Sequence, residues 1–195
     1  MYPRFTPHCG TDPIRGMKPA LHAAAGSRLY ADLGGKPCFV EEVNTLGPMF
    51  GDDDVAASYV RSMLFQIWAH DARGVMWWCA NDQSHLGHTP YDWDVVEREL
   101  GLFRPDGSAK PALDVLSRFG AFVRGLPFGA LPLAIVDAVC VLTRDQDAWA
   151  VAYGAFMLAQ QAGLNLRFAW HEDELPRAQA YLLPSQRGSG PIARR

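Results

Sequence analysis

Two adjacent carboxylates, Glu41 and Glu42, close an apolar run that begins after Pro37. A carboxylate at the C-terminal end of a buried strand suits nucleophilic attack on a sugar carbon. Gly34-Gly35 ends the preceding helix, and Cys38, Phe39 and Val40 are apolar whichever face they take. That is the pattern of a parallel strand covered on both sides by helices. In α/β barrels the chemistry gathers at the C-terminal ends of such strands. Side chains alternate along a strand, so alternation predicts that only one of the two glutamates points into a barrel mouth. The alternative is a pair of solvated glutamates at a strand end. A second apolar run, Val75-Met76-Trp77-Trp78-Cys79, ends in Ala80-Asn81-Asp82-Gln83 and offers aromatic and amide groups at the same level.

The elements that must position these groups are legible from turn residues and periodicity. Asp12-Pro13 reads as a helix start, with Asp as cap and Pro in the first turn. Pro19 predicts a kink or restart before the helix continues to Gly34-Gly35. After the first strand, Gly47 to Gly51 is a loop, and Asp52-Asp53-Asp54 places negative charge at the next helix N-terminus. That helix, residues 53–71, carries a wide apolar face including Val60, Met63, Leu64 and Ile67. With strands at 37–42 and 74–79 it forms a right-handed parallel β-α-β unit. A polar loop runs from Ser84 to Asp106, and residues 108–124 form another helix. The Gly- and Pro-containing stretch 125–132 reads as a linker. Beyond it, strands at 138–143, 166–170 and 180–183 and a helix at 147–161 make a second unit, and the Gly/Ser/Arg-rich residues 186–195 a disordered tail.

Composition narrows the function classes. With 49% hydrophobic and 20% charged residues, the chain has the means to bury a core. A net charge of −3 with no basic stripe argues against nucleic acid as a partner. No apolar run approaches the ~20 residues that span a bilayer, and the N-terminus has no signal-peptide core. The expectation is a cytoplasmic chain that uses no membrane. Cys9, Cys38, Cys79 and Cys140 are scattered without a C-x-x-C pair, and Cys38 and Cys79 sit in apolar contexts that predict buried reduced thiols. Neither the Asp52–Asp54 run nor His85 and His88 has metal-ligand spacing, so no metal is expected. Nor is a cofactor: the loop Thr143-Arg144-Asp145-Gln146-Asp147 has no glycine-rich phosphate cradle and no nucleophile elbow.

The ordered series of segments resembles the last part of the (β/α)8 barrel of a retaining glycoside hydrolase, of the clan that includes family 5 cellulases and mannanases and family 42 β-galactosidases. Gly35-Lys36-Pro37 through Glu42 is similar to the strand-seven motif of family 5, and the resemblance makes Glu42 the nucleophile. Family 5 often has Gly two residues after it, where this chain has Asn44. Gly74 through Cys79 resembles strand eight, whose aromatic residue floors the sugar site, a role falling to Trp78 or Trp77, with Asn81 nearby. Tyr2-Pro3 resembles the end of strand six, whose Tyr hydrogen-bonds the nucleophile. Leu100 through Gly107 with Lys110-Pro111 resembles the loop before the final barrel helix. Residues 1–127 would be the C-terminal part of the barrel, and residues 128–185 the start of the flavodoxin-like domain that follows it in such β-galactosidases.

The resemblance also defines what is missing. A retaining enzyme needs a second carboxyl group about 5–5.5 Å from the nucleophile. In this clan it is a Glu after Asn at the end of strand four, and the chain has no Asn-Glu dipeptide. Its remaining glutamates, Glu97, Glu99, Glu172 and Glu174, lie in a loop or in the second unit. The expectation is a glycosidase fragment carrying the nucleophile half of the site and inactive alone, with carbohydrate as substrate and the N-terminal barrel half as partner. A non-catalytic remnant that binds carbohydrate or a protein is the second reading. A small flavodoxin-like binding module built mainly on residues 132–185 is the third.

Overall fold

The computed structural model describes residues 13–44, 51–93, 98–129, 131–132 and 134–184, with side chains from residue 21 onward. Helix α1 spans Pro13–Gly34, strand β1 Cys38–Val43, helix α2 Asp53–Ala69, strand β2 Ala72–Trp77 and helix α3 Pro111–Arg124. A second run follows, with β3 Ala138–Leu142, α4 Ala148–Gln161, β4 Leu166–Trp170 and β5 Ala180–Leu182. β1 and β2 pair in parallel, as the β-α-β pattern predicts. The second sheet is also parallel, in the order β4-β3-β5.

The helix ends follow their local chemistry. Asp52 caps α2 by accepting a 2.9 Å bond from the Val55 amide, and Asp53 and Asp54 complement the dipole in the first turn. Asp147 does the same for α4 through the Ala150 amide at 3.0 Å. Past α4, Gly163 takes a φ of 71°, a region open to glycine at little cost. The kink or restart expected at Pro19 is not a break in the helix: α1 is continuous across it. Proline costs the helix interior about 3 kcal/mol, and the packing of α1 against α2, α4 and β4 outweighs that loss. The Asp12 cap, the loop before Gly51 and Cys9 lie outside the described residues.

One continuous core joins both sheets. Leu21, Ala25 and Leu29 of α1 meet Val60 and Leu64 of α2, and the same cluster extends to Leu142, Phe156 and Phe168 of the second unit. Ala24 and Ala25 are fully buried, so α1 approaches its neighbours along a stripe of small side chains. Among the described residues, the β1–β2 sheet is covered by helices on this side alone. On its opposite face Phe39 is 51% and Met76 58% exposed, although the sequence pattern is apolar on both sides. This one-sided cover accounts for a correction to the cysteines. Cys140 on the central strand β3 is buried, and burial pushes its thiol up to about 12, but Cys38 and Cys79, expected in the core, are half-exposed.

Charge fastens the seam between α1 and the second sheet. The Asp32 carboxylate is 2% exposed; its Oδ1 lies 2.5 Å from Arg28 and 2.6 Å from Arg167 Nε, and its Oδ2 accepts a 3.0 Å bond from the Phe168 amide. Burial pushes this carboxyl above its usual value, against the pull of both guanidiniums and the amide. Two histidines face α4 across the same seam. His22 meets Trp149 and Tyr153 edge-on at 5.1 and 5.5 Å, and His70 meets Phe156 at 4.9 Å. Burial lowers the pKa of both.

Removing the carboxylate in Asp32→Ala strands Arg28, whose side chain is only 8% exposed. Breaking a buried pair in this way costs about 3–5 kcal/mol, to be read as a shift of the urea midpoint; a loss below about 1 kcal/mol would show that apolar contacts alone hold the seam. The histidines set a pH dependence. Their folded pKa values lie below the unfolded one, so the unfolded chain takes up protons first as pH falls. Their contribution to stability is complete above about pH 6.5 and is lost as pH drops below it. The melting temperature is expected to fall between about pH 6.5 and 5, and a His22→Phe, His70→Phe double variant to show a flatter profile.

Candidate active site

The C-terminal ends of β1 and β2 carry the chemistry-bearing residues, and one hydrogen bond joins them. The Val43 carbonyl accepts from the Trp78 amide at 2.8 Å, extending the ladder one residue past β2. Glu42 and Trp78 therefore lie on adjoining strand ends. The register explains their surroundings. Val40 pairs with Val75 but Val43 with Trp77, so β1 carries one extra residue across Glu41-Glu42. Val40 and Val43 both pack on the helix-side core, and the simple alternation expected of the two glutamates does not apply at this bulge. Exposure separates them instead: Glu42 is half-buried, while Glu41 is exposed and lines a groove between β1 and α1. Among the described residues neither carboxylate has a hydrogen-bond or ion-pair partner.

The two tryptophans differ in the same way. Trp77 packs against the core, and its indole N–H donates to the Leu100 carbonyl at 3.2 Å. Trp78 is half-buried, and its Nε1 is buried without a partner among the described residues. The peptide from Trp78 to Cys79 is cis. Asn81 is exposed and bridges in parallel to Phe103, while the Cys79 thiol donates to the Asn81 carbonyl at 3.0 Å. Tyr2 lies outside the described residues. One residue without an assigned role in the sequence reading belongs with this group. Asn44 follows Val43 directly, is 4% exposed and leaves its Oδ1 unbonded among the described residues. Its only signal in the sequence is an amide two residues beyond Glu42.

A buried clasp holds the β2 end in place. Asp82 Oδ1 accepts from Lys110 Nζ at 2.7 Å and from the Gly101 amide at 2.8 Å, and Lys110 Nζ also donates to the Glu99 carbonyl at 2.9 Å. Gly101 permits the approach: a Cβ there would lie 2.2 Å from the Asp82 nitrogen and 2.3 Å from the Asn81 carbonyl carbon. The loop that returns to α3 is thus tied across the residues that follow Trp78.

No protein-family model matches the chain, and no curated protein does. Solved structures do. The GH5_18 protein of Bifidobacterium longum subsp. longum, determined with Manb1-4GlcNAc, superposes with a TM-score of 0.64 at 20% identity over 78% of this chain. The fold is that of part of a (β/α)8 barrel. The exo-beta-1,4-mannosidase Op5Man5 of Opitutaceae bacterium strain TAV5 gives a TM-score of 0.61 at 18% identity over 85% of the chain. The beta-galactosidase of the haloarchaeon Halorubrum lacusprofundi gives 0.64 at 13% identity over 92%, a match that reaches well into the second sheet. The chain spans 38%, 30% and 28% of the lengths of these three barrel proteins. In a (β/α)8 barrel the C-terminal strand ends form the active face, the level at which Glu42, Asn44 and Trp78 stand.

Replacing Lys110 by Met keeps much of the side chain's bulk and leaves Asp82, 4% exposed, without its cation. A loss of about 3–5 kcal/mol is expected, with a change in near-ultraviolet circular dichroism from the adjoining tryptophans. An unchanged urea midpoint would show that the Gly101 amide alone suffices to hold the loop.

Proposed function

We propose that this chain carries the nucleophile half of a retaining β-glycosidase site, with Glu42 as the nucleophile. The observation that supports this best is the place of Glu42 within the glycoside-hydrolase fold. It stands half-buried at the C-terminal end of a barrel strand, beside the strand end that bears Trp78. Trp78, half-buried at the adjoining strand end, floors the sugar with its ring. Asn81 binds substrate from the following loop. Trp77, tied to Leu100, supports the floor from the core side, and Tyr2 bonds the nucleophile. The Glu42 carboxylate attacks the anomeric carbon, the bond to the leaving oxygen breaks, and a glycosyl ester forms that water later hydrolyses. The leaving oxygen must take up a proton in the first step. That proton comes from a carboxyl group this chain does not supply, since no glutamate here follows an asparagine.

A second reading, a non-catalytic remnant that binds carbohydrate or protein, is favoured by the open face bearing Phe39 and Met76. For the second unit we propose a flavodoxin-like sheet. Its order β4-β3-β5, with the first strand in the middle, is the order in which such doubly wound sheets begin.

A positioned acid or base contributes about 10²–10⁴-fold, so the chain alone is expected to leave natural β-linked oligosaccharides untouched. With an aryl β-glycoside, whose leaving group needs no proton, it should release phenolate slowly, and Glu42→Gln should abolish that release. Turnover of the natural substrate would reveal a second carboxyl group and overturn the half-site. Silence on both substrates would leave the remnant reading in possession.

A further inference from the structure

A cavity of about 500 Å³ is lined by Ala72 and Arg73, the first residues of β2, at the end of the strand opposite Trp78. From Arg73 to Trp78 the chain rises about 17 Å, so the cavity is separate from the candidate active face. Three segments complete its walls. Trp68 belongs to the last turn of α2, Arg124 is the last residue of α3, and Leu126 and Phe128 lie on the segment that leaves α3. Trp68 stands edge-on to Phe65 and Phe122, at 6.3 and 5.5 Å, so its ring is held before anything binds. Phe128 is 44% exposed and still has apolar surface to lose.

The charged part of the lining has one sign. Arg73 and Arg124 both line the cavity, and among the described residues no carboxylate does. Arg73 is steadied by Asp71, a left-handed turn residue (φ 71°) that bonds it at 2.7 Å. One such bond leaves most of the five guanidinium donors unused. Arg124 has no ion-pair partner among the described residues. Its Nη1 would lie 3.2 Å from a Cβ added at Gly120, so the guanidinium folds back along α3. The negative end of a helix attracts a cation, which accounts for Arg124 alone but not for a second arginine and two aromatic rings on the same cavity.

Small-molecule sites enclose about 300–1,000 Å³, with apolar walls and a few polar groups that fix orientation. A flat ring suits Trp68, Leu126 and Phe128, and a planar carboxylate suits the fork of a guanidinium. A neutral sugar would leave both arginines without a counter-charge. We propose that this cavity binds an aryl carboxylate, its ring against Trp68 and Phe128 and its carboxylate on Arg124 and Arg73. The proposal uses none of the residues at the β1 and β2 C-terminal ends, and it stands or falls apart from the half-site reading.

The probe is 2-naphthoate, titrated calorimetrically into the full chain, with 2-naphthamide as its uncharged counterpart. Binding should be one-to-one with a Kd of about 1 mM or below. It should weaken about fivefold or more for the amide, and also in about 0.5 M salt. Arg124→Gln and Phe128→Ala alter exposed side chains. Each should keep the melting temperature of the free chain and weaken naphthoate binding about fivefold or more. Arg118→Gln, at an 80% exposed arginine outside the cavity lining, should bind as wild type does. No binding, equal affinity for the amide, or wild-type affinity in both cavity variants would overturn the proposal. So would displacement of the naphthoate by a neutral β-linked disaccharide, which would make the cavity a sugar site.

Discussion

Asp32 lies where two parallel sheets meet, and both depend on the helix that carries it. A parallel sheet needs helices against its faces, and α1 serves β1–β2 and β3–β4–β5 together. Packing small residues alone would bring α1 close without specifying which turn faces which strand. The carboxylate adds that specification. Arg28, one helical turn earlier, is already in place, so β4 needs only to bring Arg167 and the Phe168 amide to complete the shell. Carrying these charges out of water is costly, and the compensation is that all three donors converge on one acidic group. Burial still pushes that carboxyl upward, which marks desolvation as the larger effect. The cluster therefore serves registry between the sheets more than net stability.

From that anchor the site is built outward along the chain. Gly35, at a φ of 59°, turns α1 into β1 within a few residues, so the pose of α1 also fixes where β1 begins. β1 then pairs with β2 under α2, whose apolar side is buried from Val60 to Ile67. The extra residue at Glu41-Glu42 lets Val43 return to the core immediately after two carboxylates, and Val43 in turn supplies the carbonyl that holds Trp78. At the β2 end the Asp82–Lys110 pair and Gly101 fold the next loop back over the strand. Every candidate residue described is thus one or two bonds from a buried fastening point.

Local structure was legible in the sequence where one segment carried the whole signal. The strand at 166–170 was recovered with its observed limits, and the Asp52 and Asp147 helix starts were marked by side chains that cap within three residues. The parallel pairing followed from a helix lying between two apolar runs. What escaped was set by partners far away in sequence. Asp32 finds Arg167, and Asp82 finds Lys110, across intervals in which no periodicity links them. The bulge at Glu41-Glu42 is a property of two strands in register, so alternation within one strand had no means of revealing it. The restart foreseen as one alternative at Pro19 does not occur, because local propensity ignores the packing of α1 against its neighbours. For the cysteines, apolar neighbours implied burial, but half of that burial requires a layer that lies beyond this sheet's covered face.

The uncovered face and the unbonded polar atoms have one physical origin. Buried polar groups in folded proteins find partners almost without exception, yet Asn44 Oδ1 and Trp78 Nε1 stand unbonded among the described residues, both at the C-terminal ends of the barrel strands. On the same sheet Phe39 and Met76 present apolar surface with nothing described against it. Other buried atoms without a partner, such as Arg28 Nε in α1 and Arg167 Nε in β4, lie elsewhere, but this pair stands at the level where a barrel puts its active face, and Phe39 and Met76 lie on the face it turns inward. Both atoms are closed off from solvent, whereas the Glu42 carboxylate beside them is only half-buried. A second layer against Phe39 and Met76 would bury their apolar surface and, by excluding water, strengthen the electrostatic interactions of Glu42. The demand for a complementary layer and the chemical poise of the strand end are therefore one requirement.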